Sequence, residues 1–164
     1  MADDLATGGG ALAELLHHAE PLEDEAEFGE GDQAFRVRFK RCSRRDLDDI
    51  ARAAQSRRRD RTGALIADAD DHKRYRIALR DKCLVSWSGL TVAKVLAACS
   101  MTGNGTAPQT RVDYTAKNAL VMLEYARTKL LDAERPTAFD DWVFERATDL
   151  AERVTARETG EKNA

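Results

Sequence analysis

The sequence predicts a mainly α-helical fold, a small domain of about five helices preceded by one short β-strand. Two observations carry this. Over residues 72–90, Tyr75, Leu79, Cys83 and Trp87 recur every fourth residue and stack along one side of a helix, with Ile77 and Leu84 on another. A helix apolar on two sides is packed by neighbours on both, so this one is expected to be central. By contrast, Phe35 to Phe39 (FRVRF) alternates apolar and basic residues, the period of a strand with one buried face.

The totals suit this picture. The chain has 164 residues, the length of one domain with tails. Hydrophobic residues make up 43% and charged residues 34%, enough for a core under a heavily solvated surface. A net charge of -3 argues against the whole molecule being a polyanion binder. The 3 cysteines, Cys42, Cys83 and Cys99, form no CxxC pair, and their odd number argues against a disulfide framework. With no signal-peptide pattern and no apolar run of membrane-spanning length, the expected compartment is a reducing cytosol.

Residues 1–33 form an acidic arm, with no Lys or Arg before Gln33, and are expected to be disordered. A short helix over 11–18 would be marginal alone. His17 and His18 are adjacent, do not share a helix face and have no third ligand nearby, so no metal site is expected there. A chain starting at Gln33 is therefore expected to melt cooperatively. The domain proper spans 34–157, and 158–164 are a polar tail expected to fray.

The FRVRF strand needs a partner for its backbone groups. The sequence offers no clear one within the domain; residues 104–113 and another subunit are the candidates. Ser43 and Asp46 have the spacing of a capping box, opening a helix to about Arg57 in which Leu47, Ile50, Ala51 and Ala54 follow at helical spacing. SRRRDR at 56–61 makes this region basic, but interleaved aspartates favour a solvated face. Gly63 loosens the chain, and 64–69 is expected to continue as helix. Asp68, Asp70 and Asp71 read as first-turn acids ahead of the central helix, not as metal ligands. Gly89 suits the helix stop.

Val92, Val95, Leu96 and Cys99 predict a short amphipathic helix ending before the turn residues 103–105. Residues 108–113 are extended. Thr115, or Asp113, caps a helix carrying Ala116, Ala119, Leu120, Leu123 and Leu130 on one face. Pro136 breaks the chain. Thr137 is the expected N-cap of a last helix, with Phe139, Trp142, Val143, Ala147, Leu150 and Val154 forming its apolar stripe to about Ala156.

From Trp87 onward the order of features resembles the tail assembly chaperones of long-tailed bacteriophages. The features are Trp87-Ser88-Gly89-Leu90, a Gly-containing loop, Tyr114-Thr115 opening a helix with Ala119, Leu120 and Leu123, and a final helix with the aromatic start Phe139-Asp140-Asp141-Trp142-Val143. The similarity covers about residues 72–156, and the FRVRF strand also fits it. The insertion MTGNGTAPQTR and the basic run at 56–61 lie outside the pattern. The resemblance implies a non-enzymatic protein of the bacterial host's cytoplasm, absent from the mature virion and without a cofactor. Its implied partner is the tape measure protein, a very long helical chain, with the tail tube protein as a second candidate; a homo-oligomer stays open. It marks Trp87, Gly89, Leu90, Tyr114, Leu120, Leu123, Phe139, Trp142 and Val143 as partner-binding residues or core anchors.

Three other classes are weighed beside it. No nucleophile elbow, P-loop, metal spacing or dinucleotide fingerprint supports an enzyme. The basic segment 36–61 is the basis for a nucleic-acid-binding module, which its aspartates disfavour. A structural tail-completion or head–tail connector protein is the nearest rival.

Overall fold

The computed structural model describes residues 23–103, 105–128 and 134–162. Among them the fold is mixed α/β, not mainly α: five α-helices and seven strands in three small sheets. The helix expected over 11–18, the His17-His18 pair and Leu130 lie outside the described residues.

The strands that the sequence reading missed are those that complete the sheet of FRVRF. β1 (Glu23–Phe28) and β2 (Phe35–Lys40) form an antiparallel hairpin through Gly29 and the 3-10 turn Gly31–Gln33. Gly29 is required there. Its φ is +102°, and a Cβ on it would lie 2.9 Å from the Gln33 carbonyl oxygen. β5 (Leu84–Ser88) pairs with the other side of β2, giving the order β1-β2-β5. The partner of FRVRF thus comes from two flanking segments, neither residues 104–113 nor a second subunit. The acidic arm is also corrected: residues 23–28 belong to the folded body, because Phe28 is fully buried.

The helix expected through Leu90 stops at Cys83. α1 (Arg44–Ala53) is shorter than expected but carries the predicted reciprocal cap between Ser43 and Asp46. The basic run is not helical; β3 (Arg58–Arg59) and β4 (Leu65–Ile66) form a two-stranded hairpin, and the expected helix over 64–69 is absent. α2 (Ala69–Cys83) starts at Asp68, whose side chain caps it reciprocally with Asp71. The chain then turns extended at Leu84 (φ −92°, ψ 140°) and runs into β5. The register of β5 on β2 shifts between Arg38 and Phe39, which pair with Ser86 and Leu84. This bulge lets Leu84 and Trp87, three residues apart, both face the core.

The second half follows the sequence more closely. α3 (Val92–Ala98) is capped by Thr91 and α4 (Ala116–Tyr125) by Thr115, both through their side chains. α5 (Phe139–Lys162) is longer than expected and takes in much of the presumed tail. Thr137 does not act as its N-cap: Thr137 and Ala138 form β7, paired with β6 (Arg127–Thr128).

β2 shows why the layers assemble. Phe35, Val37 and Phe39 are buried, while Arg36, Arg38 and Lys40 are exposed. The apolar face meets α5 and the strand ends around Trp87; the polar face is lined by cross-strand pairs, Arg36 with Glu27 at 3.4 Å and Arg38 with Glu23 at 2.8 Å. α2 packs against α1, α4 and α5. No helix among the described residues is long and apolar enough to cross a membrane.

Candidate partner-binding surface

Six of the nine residues marked by the resemblance are core. Trp87, Leu90, Leu123, Phe139, Trp142 and Val143 are buried in one continuous cluster. Its centre is a run of rings. Phe28 meets Phe139 at 4.8 Å and Trp142 at 5.1 Å, Phe39 meets Trp142 at 5.4 Å, and Phe35 meets Trp87 at 6.4 Å. Trp87 then meets the half-buried Tyr114 edge-on at 4.9 Å. Burial raises the Tyr114 phenol pKa. Such a cluster holds the molecule together, but its buried members have no surface to offer a partner.

Around Gly89 the strand end is tied to the loop before α4. Gly89 is exposed with φ +73° and turns the chain from β5 toward α3. The Val112 N–H donates to the Leu90 carbonyl at 2.9 Å, and Thr91 bridges Arg111. The inserted loop is therefore anchored at its C-terminal end, and Tyr114-Thr115 is delivered directly to the start of α4.

α4 has apolar surface to spare. Ala119, Met122 and Leu123 face the core, as does Ala126 just beyond the helix. Leu120 is half-buried, and Ala116 is exposed where the sequence reading had it inward. Val121 and Tyr125, four residues apart, stand outward at 37% and 48% exposure. Sequence reasoning missed this pair, although the signal was present. Residues 119–123 are apolar without a break, more than a single buried stripe can use.

A separate groove of about 570 Å³ runs between β1 and α5. Ala26, Phe39 and Leu150 contribute its apolar lining, with Asp24, Glu25, Asp149 and Glu152 set against Arg146 and Arg153. The Arg153 guanidinium donates to Asp24 at 2.7 Å across it. Arg146 lies 5.9 Å from the ring centre of Trp142.

Buried charge ties the helices together. Arg76 on α2 and Asp140 on α5 are both largely covered and lie 3.1 Å apart. The thiols of Cys42 and Cys83 are in contact at 2.9 Å in the core. Hydrogen bonding to Cys42, then burial, pushes the Cys83 thiol up, so it is a poor nucleophile. No three His, Cys, Asp or Glu side chains are grouped to hold a metal ion among the described residues. No protein-family profile, curated protein or solved structure matches the chain.

Proposed function

We propose that this protein is a tail assembly chaperone that binds an amphipathic helical segment of a phage tape measure protein through the outer face of α4. The observation that carries the reading is the exposed Val121–Tyr125 pair beside half-buried Leu120, within the region of the ordered resemblance. A long amphipathic client without its tube exposes apolar stripes and aggregates. A helix face with outward apolar residues at i and i+4 covers such a stripe by helix packing. Trp87, Phe139 and Trp142 act indirectly in this reading, by holding α4 and α5 in place.

Co-expression tests it. The tape measure protein should be insoluble alone, and soluble and copurifying with this chain. Val121→Asp with Tyr125→Asp should abolish the rescue while leaving the fold intact, because both side chains stand outside the core. A rescue unaffected by that double variant removes α4 as the binding face. Presence of the chain in purified particles would instead favour the connector reading, since an assembly chaperone leaves before completion.

A further inference from the structure

The β3–β4 hairpin is an ordered arm with no evident structural duty. Residues 57–67 are all exposed. A two-stranded ribbon is marginal by itself, yet this one is held by a dense local network. Asp60 Oδ1 accepts from the Thr62 N–H at 2.8 Å, the Thr62 hydroxyl at 2.6 Å and the Ala64 N–H at 2.9 Å. The Asp60 N–H donates to the Ala64 carbonyl at 2.8 Å, and the Ser56 hydroxyl bonds the Ile66 carbonyl at the base. The arm is preorganised without being buried.

Among the described residues, its arginines lack the ion pairs that several other arginines of the basic segment make. Arg36 and Arg38 pair with Glu27 and Glu23, Arg52 with Asp49 at 3.3 Å, and Lys82 with Asp46 at 2.8 Å. Among the described residues, no carboxylate lies within ion-pair reach of Arg57, Arg58, Arg59 or Arg61. The Asp60 carboxylate is taken up by the turn, and Arg59 donates to the Gly63 carbonyl at 2.6 Å. Four arginines are thus gathered against one aspartate in a chain of net charge -3.

Apolar residues sit beside them. Leu65 is 57% and Ile66 39% exposed. The register places Arg58 opposite Ile66 and Arg59 opposite Leu65, so each face of the ribbon presents a guanidinium next to an aliphatic side chain. A phosphate backbone offers nothing to those aliphatics, and the ribbon carries no aromatic ring on which a base could stack.

We infer that this hairpin is a docking arm for an acidic amphipathic helix, whose apolar stripe covers Leu65, the more exposed aliphatic, on one face of the ribbon while its carboxylates meet the arginines around it. The occupant is assigned from the arm's own chemistry, independently of the client placed on α4.

Fluorescence-anisotropy titrations of the full chain test this, with three labelled probes. The first is a designed Leu/Ala helix with Glu along one flank, the second its Glu→Gln counterpart, the third a short DNA duplex. The acidic helix should bind, and the Gln helix should bind about tenfold more weakly, the loss expected from a few exposed ion pairs. Arg57→Ala/Arg58→Ala/Arg61→Ala and Leu65→Ser/Ile66→Ser should each weaken the acidic helix by about the same factor. Neither should move the thermal midpoint, because the arm lies outside the core. The assignment is overturned if the acidic helix does not bind, or if neither variant changes its affinity. It is equally overturned if the duplex binds as tightly and ignores Leu65→Ser/Ile66→Ser, an outcome that makes the arm a phosphate-binding element.

Discussion

The indole N–H of Trp87 donates to the main-chain carbonyl of Val112 at 2.8 Å, joining the end of β5 to the loop that leads into α4. The same ring packs in the core against Phe35 and Tyr114. Trp87→Ala is expected to cost about 3–5 kcal/mol, the range for large aromatic truncations in cores. Trp87→Phe keeps much of the packing but leaves the Val112 carbonyl without its donor, and should cost about 1–3 kcal/mol. Urea melts give both values. Limited proteolysis should show the loop before Tyr114 cut faster in the Phe variant than in the parent chain.

Phe28 makes the N-terminal boundary testable. Its side chain is 1% exposed and touches Phe35, Phe139 and Trp142. Phe28→Ala should lower stability by about 3–5 kcal/mol. A chain starting at Gln33 loses the whole of β1 and should no longer melt cooperatively by circular dichroism. Cooperative melting at the parent midpoint would show that β1 adds nothing to the body.

Two glycines with positive φ should respond differently to alanine. At Gly89 the space is open, so Gly89→Ala carries only the left-handed backbone cost of about 1–2 kcal/mol. At Gly29 the new methyl also meets the Gln33 carbonyl oxygen at 2.9 Å. Gly29→Ala should therefore shift the chemical-denaturation midpoint further than Gly89→Ala.

Asp46 sets a pH dependence. Hydrogen bonds from Lys82 and from the Ser43 side chain and main chain hold its carboxyl well below the usual carboxylate range. A pKa lowered by folding means stability that is present above the unfolded value of 3.8 and is lost as pH falls through the folded one. The destabilisation caused by Asp46→Asn should accordingly be largest at neutral pH and shrink below about pH 4. Urea midpoints for both proteins across that range would check it. A constant difference would mean that the Asp46 charge contributes nothing.

Local chemistry was legible in the sequence where one residue decides one feature. Ser43 and Thr115 cap the helices that follow them, and Phe35 to Phe39 alternate as written. The main error arose at Cys83. Trp87 continues the four-residue spacing of Tyr75, Leu79 and Cys83, so a helical period ran on into a strand. The opposing signal was Val85-Ser86-Trp87-Ser88, which alternates, but it is short, and the bulge opposite Arg38 and Phe39 breaks the period of two just before it. β1 was hidden differently. Its glutamates made it look like part of an acidic tail, yet they are the outward half of an amphipathic strand whose inward half is Ala26 and Phe28. Surface function was the least legible part. Six of the nine motif residues are core, and exposure of Val121, Tyr125, Leu65 and Ile66 depends on how neighbouring elements pack.

The order of the sheet bears on when this protein can fold. β2 and β5 are neighbours in space but are separated in the chain by α1, the basic hairpin and α2. Phe28, among the first described residues, finishes its packing only against Phe139 and Trp142 on the last helix. During synthesis the β1–β2 hairpin can close early, but its apolar face has nothing to cover it until α5 has left the ribosome. Loops this long delay closure of the core and leave a nascent chain exposed to aggregation. A copy terminated before Phe139 would be caught permanently at that stage.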